Sequence, residues 1–376
     1  MDHARDANAP MTRIVIIGAG LAGLYAAYRL EQLGIRDYAL LEARAAPGGR
    51  IASAGRPHAD AADRFDLGPT WFWPALQPQL DRLIKDLGLH RFAQHEDGAM
   101  LVERTADSAP VRMRGYVSEP AAQRLSGGMQ SLVDALCARI DPQRMLTGRR
   151  VRTLQQKGDP IDVGCEGPDG HEDMRAADAV WLALPPRLAA RDLEFVPALP
   201  AALRRQWAAT PTWMAPHAKY VALYERPFWR EQGLSGEARS LLGPLGEIHD
   251  ASLPDGSAAL FGFFALPAHL RRSAPEALLR SACREQLARL FGPPASVPSA
   301  DFIKDWALDP LTATDADGQA SQVHADAPLA TAADGPWQGR LRGIASEWSM
   351  QFPGYLAGAV DAAERAVSAL AAREPR

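Results

Sequence analysis

The stretch RIVIIGAGLAGLYAAYRLEQLG, residues 13–34, constrains this chain more than any other. Residues 13–17 (RIVII) read as a buried parallel strand, and the Ala- and Leu-rich run after the glycines reads as a helix ending near Gly34. A second strand, YALLEA (38–43), follows at once. Strand, crossover helix and strand in such a short span form the unit from which parallel sheets are built. Gly18, Gly20 and Gly23 stand in G-x-G-x-x-G spacing at the turn. The first permits a tight turn, the second admits a pyrophosphate to the backbone, and the third lets helix and strand approach closely. Leu21 and Ala22 then open the helix, whose first amides face the anion. Glu42 ends the second strand nineteen residues after Gly23, where a carboxylate can accept hydrogen bonds from a ribose diol. These residues predict a bound dinucleotide.

The remaining composition narrows the choices. A chain of 376 residues with 47% apolar residues can bury a large core, and two interleaved domains are expected. The formal net charge of -4, with Arg and Asp/Glu scattered, offers no basic face for nucleic acid and no polybasic membrane patch. Cys137, Cys165 and Cys283 lie far apart with no C-x-x-C, so neither a disulfide framework nor a metal site is expected. The polar start, MDHARDANAP, is unlike a signal peptide, and residues 1–10 are expected to be disordered. The apolar run Ile14 to Leu30 is interrupted by three glycines and an arginine and is rejected as a membrane span. A reduced, cytoplasmic setting fits best.

Further along, residues 76–89 read as an amphipathic helix and 128–140 as another, with strands at 149–155, 161–165 and 179–184. The region 213–264 alternates apolar and polar residues between breaks, as an antiparallel sheet with one covered face would. Residues 275–291 read as a helix, 309–339 as a long loop, and His249 and Asp250 as a turn between strands. Lys219 opens an apolar run, although an ammonium there is costly unless used. It is one of four lysines among 41 basic residues, with Lys85, Lys157 and Lys304. Strand alternation puts His217 on its face, as a hydrogen-bonded strand residue or a base.

The glycine fingerprint does not choose between a nicotinamide and a flavin dinucleotide, but the residues after Glu42 do. LEARAAPGGRI, with Arg44, Gly48, Gly49 and Arg50, resembles the second signature of the flavin-dependent amine oxidase family, in which the glycine pair and arginine run along the FAD. Arg50 offers a donor fork suited to phosphate or a flavin carbonyl. Further matches follow in the family's order. FDLGPTWFWP (65–74) is similar to the segment that brings Gly68, Pro69, Thr70 and Trp71 to the flavin. SGGMQSLVDAL (126–136) is similar to the Gly-Gly-Met loop, and HAKYVALYERPFW (217–229) to the substrate-domain strand with a lysine ten residues before Trp229. The stretch 339–366 is similar to the C-terminal flavin motif, with Ser346 where a threonine is usual, then Glu347, Gly354 and Tyr355.

The resemblance implies an α/β fold: a Rossmann-like FAD-binding domain (11–75, 126–200 and 335–376) interleaved with an α+β substrate domain on an antiparallel sheet (76–125 and 201–334). It implies a cofactor set of Gly18, Gly20, Leu21, Ala22, Gly23, Glu42, Ala43, Arg44, Gly49, Arg50, Gly68, Pro69, Thr70, Trp71, Val151, Glu347 and Gly354. Lys219 is the implied holder of a water near flavin N5, and Tyr355 one wall of an aromatic cage around a neutral amine. Residues 306–338 contain neither Cys nor Tyr, so noncovalent FAD is expected and the other wall falls to Trp348, Trp71 or Phe264. The implied activity is hydride transfer from an amine, with molecular oxygen as acceptor. A non-amine cyclic or isoprenoid substrate and a non-catalytic flavin-binding module are the alternatives, and the oligomeric state, a homodimer included, stays open.

Overall fold

A computed structural model of the chain describes residues 11–56, 58, 60–254, 256–319 and 325–372; the segment 1–10 lies outside them. The chain divides into two compact units.

The first unit comprises 11–50, Val133–Trp213 and 325–372. Its sheet, counted over the described residues, has eight strands. Met11–Ile17 runs parallel to Tyr38–Leu41 on one side and to Glu172–Leu182 on the other. Met145–Leu146 extends the parallel part beyond Tyr38–Leu41, and Leu341–Gly343 pairs in parallel with Glu172–Leu182. Arg150–Gln155, Ile161–Glu166 and Glu172–Leu182 form an antiparallel meander, and Glu194–Val196 lies parallel to Arg150–Gln155. Ile14, Val15 and Ile16 are wholly buried, as the continuous apolar run requires of a strand covered on both faces. The helix Leu21–Gln32 follows, and Gly34 (φ 74°) ends it. There the Gly34 N–H donates to the Glu31 carbonyl and the Ile35 N–H to that of Leu30, satisfying carbonyls the helix leaves open. Leu356–Ala371 packs beside it, with the Tyr25 hydroxyl donating to Glu364 (2.7 Å).

The second unit comprises Ile51–Leu132 and 214–319. Its main sheet runs in the order Ala300–Asp305, Ala218–Tyr224, Ala258–Phe264, Leu245–Asp250, Leu234–Ser240, Ala99–Glu103, Val111–Arg114. Neighbours are antiparallel except Leu234–Ser240 with Ala99–Glu103. The helix Glu276–Phe291 covers one face, its Leu279, Cys283 and Leu287 packing with Tyr220, Ala222, Leu260 and Phe264. The other face carries Val221, Leu223, Ala259 and Phe261, packed with Phe65, Trp71 and Phe92.

Two expectations change here. The strand with Lys219 is buried along its whole length rather than on one face, because segments 65–71 and 92 cover the side opposite the helix. Alternation within the strand cannot reveal what distant segments supply. His249 and Asp250 belong to the strand Leu245–Asp250, not to a turn.

Candidate functional site

The first unit holds a cradle made of two glycine turns. Gly18 has φ 105°, and a Cβ there would lie 2.8 Å from the Ala183 carbonyl oxygen. A Cβ on Gly23 would come within 1.9 Å of the Gly18 carbonyl oxygen, so only glycine lets the helix sit this close to the strand end. The PGGR turn is drawn against the first one: the Gly48 N–H donates to the Ala19 carbonyl (2.9 Å), and Gly20 bridges to Gly48. No side chain caps the helix at Gly20, while Leu21 and Ala22 are buried. An uncapped, buried helix start with a glycine floor fits a phosphate.

Glu42 stands beside this cradle, 4% exposed. Its Oε2 accepts from the Ala19 N–H and its Oε1 from the Arg44 N–H, each at 2.8 Å. A carboxylate has about four acceptor sites, so the aligned oxygens keep capacity for a diol. The Glu42–Arg44 segment is itself clamped, since the Arg149 and Gly148 N–H groups donate to the Glu42 and Arg44 carbonyls, with Ala43 between them. Val151 puts its side chain in the core of this unit, leaving only its backbone for any ligand. The residues present therefore fit a dinucleotide.

Arg50 joins two segments of this unit. Its two terminal nitrogens engage Glu347 (2.5 and 3.0 Å), the Ser346 hydroxyl (3.1 Å) and the Trp213 carbonyl (3.1 Å). The two terminal nitrogens thus tie the PGGR turn to the C-terminal motif, 297 residues away in sequence, while the side chain stays 20% exposed. Glu347, 3% exposed, is half of this pair. Gly354 (φ 83°) turns the chain into the last helix, and Tyr355 is its N-cap residue, 37% exposed. Trp348 is no accessible wall: it is buried, stands edge-on to Trp207 and donates its indole N–H to the Leu329 carbonyl.

The second unit holds the lysine. Lys219 is wholly buried; its Nζ donates to the Thr70 hydroxyl (2.5 Å) and the Gly68 carbonyl (3.3 Å) and lies 3.9 Å from the Phe261 ring centroid. Gly68, Pro69, Thr70 and Trp71, anticipated among the cofactor residues, belong to this unit. Burial pushes the lysine from its ordinary 10.5 down to about 7, with Asp66 opposing and Arg124 adding to the shift. Trp71 packs edge-on to His249 (4.9 Å) and near Phe261 (5.3 Å), its indole N–H donating to Gln94. Phe264 points to the helix-covered face, away from Lys219; Phe261 and Phe263 share the lysine's face instead. The cross-strand pairing of Lys219 with Phe263 settles this, and period-two alternation from it marks Phe261. Asp66 was also missed, though it stands inside the FDLG segment. His217 lies just ahead of the strand, 6.4 Å from Phe263, and burial lowers its pKa. Among the described residues no group of three or more His, Cys, Asp or Glu is placed to hold a metal, and no helix is long and apolar enough to cross a membrane.

Residues 103–371 match the family described as Flavin containing amine oxidoreductase, and residues 16–87 the NAD(P)-binding Rossmann-like domain. A protein named "Probable flavin-containing monoamine oxidase A" from Dictyostelium discoideum is 29% identical over 186 residues, 49% of this chain and 39% of that relative. A putrescine oxidase from Kocuria rosea is 28% identical over 211 residues, 50% of this chain and 41% of the relative. The chain thus spans under half the length of these two relatives. Among solved structures, a putrescine oxidase triple mutant superposes with TM-score 0.80 at 20% identity, covering 97% of this chain and 100% of the other. A cyclohexylamine oxidase from Brevibacterium oxydans gives 0.78 at 19%, covering 96% and 99%. These likenesses establish the fold.

Proposed function

Because the chain belongs to the flavin containing amine oxidoreductase family, we propose that it is an FAD-dependent amine oxidase. Overall, an amine, oxygen and water would give a carbonyl compound, ammonia or a smaller amine, and hydrogen peroxide. FAD, when bound, supplies the acceptor for the hydride lost from the amine's α carbon. The first unit is assigned FAD binding: the amides of Leu21, Ala22 and Gly23 receive the pyrophosphate, Glu42 the ribose, and Val151 contributes through its backbone. Arg50 and Glu347 act together, holding the glycine turn and the C-terminal motif in register. The second unit is assigned the substrate side, with Trp71 as its aromatic surface.

The observation that carries this reading is Lys219. A wholly buried lysine costs stability unless it is used, and its depression to about 7 lets Nζ hold or release a proton near neutral pH. Two of its N–H groups are taken by Thr70 and Gly68, and the Phe261 ring lies 3.9 Å from Nζ, so the ammonium is held in one fixed place. The test is anaerobic addition of an amine panel to the FAD-loaded protein, with flavin absorbance followed before and after air is admitted. Bleaching by an amine, then recovery with peroxide, is the expected result; no bleaching across the panel would overturn the reading.

Noncovalent FAD is part of the proposal. Burial raises the thiol pKa of Cys137 to about 11 and lifts those of Cys165 and Cys283 as well, so none is a ready nucleophile at neutral pH. Acid precipitation of the yellow protein is expected to leave all of the flavin in the supernatant. Yellow pelleted protein would show a covalent bond.

A further inference from the structure

Five residues of the second unit close a circuit of direct contacts. Lys219 Nζ donates to the Thr70 hydroxyl (2.5 Å) and lies 3.9 Å from the Phe261 ring centroid. Phe261 stacks on His249, with centroids 5.3 Å apart and planes 29° from parallel. His249 meets Trp71 edge-on, at 4.9 Å and 79°, and Trp71 follows Thr70 in the chain. Trp71 also leans on Phe261, at 5.3 Å. Each link is a side-chain contact or a peptide bond, so in a close-packed interior displacing one member shifts its neighbours.

The pairing of the strands brings these groups together. Lys219 stands opposite Phe263, Phe263 opposite Glu247, and Phe261 opposite His249. Residues directly opposite share a face, and period-two alternation keeps Phe261 with Phe263 and His249 with Glu247. One face of three adjacent strands therefore carries Lys219, both phenylalanines, His249 and Glu247.

Within the circuit, His249 is the aromatic member with a charged anchor. Its Nε2 meets Glu247 Oε1 at 2.6 Å, and Glu247 is paired in turn with Arg239. Burial raises the Glu247 pKa, but the His249 hydrogen bond and Arg239 outweigh that and bring it to about 2. The carboxylate is thus ionised and only accepts, which places the proton on Nε2 and fixes the imidazole plane. Phe261 has no polar atom of its own, and the Trp71 indole is held at one point, by Gln94 (2.9 Å).

We propose that His249, anchored by Glu247, is a positioning residue: its ring is the prop on which Phe261 and Trp71 both rest, so it sets the place of the Lys219 ammonium through Phe261 and the angle of the substrate-side aromatic surface through Trp71. The inference rests on the proposed function for what Lys219 and Trp71 do.

FAD-loaded protein grown with ε-13C-lysine and 5-fluorotryptophan reads both ends of the circuit. The chain has four lysines and nine tryptophans, and Lys219→Met and Trp71→Phe identify the two resonances by their loss. In the wild type the ε-methylene protons of Lys219 are expected upfield of those of the other lysines, because an aromatic ring shields groups held over its face. In His249→Leu both resonances are expected to move, that of Lys219 losing most of its upfield displacement, while the other lysines and tryptophans keep theirs. His249→Gln, which keeps a donor for Glu247 but has no ring, is expected to do the same and decides alone if His249→Leu does not fold. With an amine that bleaches the wild type, flavin reduction in the variant is expected to slow at least about tenfold with FAD retained, since a small misplacement costs up to about 100-fold. Either resonance unmoved in a folded variant, or a reduction rate equal to that of the wild type, overturns the proposal. A protein that shows both shifts but bleaches with no amine would defeat the functional reading and leave the positioning standing.

Discussion

Lys219→Met is expected to leave FAD bound but to slow flavin reduction or reoxidation at least about tenfold, as loss of a positioned proton-holding group does. Stopped-flow traces of each half-reaction check this, and unchanged rates in both would return the lysine to a structural role. The same variant carries a stability signature whose sign is fixed. The folded-state pKa is about 7 against an ordinary 10.5. Between those values the unfolded chain binds a proton that the folded chain does not, so stability rises with pH across that window. Below 7 both states are protonated and the full burial cost is present; above 10.5 both are neutral and it is gone. Each tenfold change in proton affinity is worth about 1.4 kcal/mol, so the buried ammonium costs a few kcal/mol. Urea unfolding at about pH 7 and about pH 9.5 is expected to show a smaller rise with pH in Lys219→Met than in the wild type. Equal slopes would mean that the lysine is not depressed.

Gly23→Ala is expected to abolish FAD retention. The added Cβ would lie 1.9 Å from the Gly18 carbonyl oxygen and 3.2 Å from the Ala183 Cβ, so the helix must move off the strand end. Its first amides then leave the cradle. The overpacking itself costs about 1–3 kcal/mol. Gly34→Ala is the contrast: φ is 74° but nothing lies within 4 Å of the added atom, so a loss of about 1 kcal/mol without loss of flavin is expected. Flavin-to-protein absorbance after desalting, with thermal midpoints, separates the two. A yellow Gly23→Ala protein would show that the cradle is not where the dinucleotide binds.

Much of this was legible in the chain because it is local. The strand, glycine turn and helix of residues 11–32 follow from apolar runs and from backbone conformations that only glycine tolerates, and Gly34 ends the helix for the same reason. Glu42 follows from its distance along one supersecondary unit. Lys219 was legible as an anomaly, a charge in an apolar strand, and the structure buries it completely. Phe264 shows where such reading stops. Alternation says that it and Phe263 face opposite ways, but which one shares the lysine's face depends on the pairing with another strand.

Sequence alone therefore determined the dinucleotide turn, the parallel unit around it and the oddity of the buried lysine, since each rests on neighbours within a few turns of chain. Tertiary structure decided that Arg50 is paired with Glu347, that Trp348 is core, and that Lys219 is buried with its Nζ on Thr70 and Gly68. Those outcomes depend on segments distant in sequence meeting in one register, and on charges that only become costly once burial removes them from water.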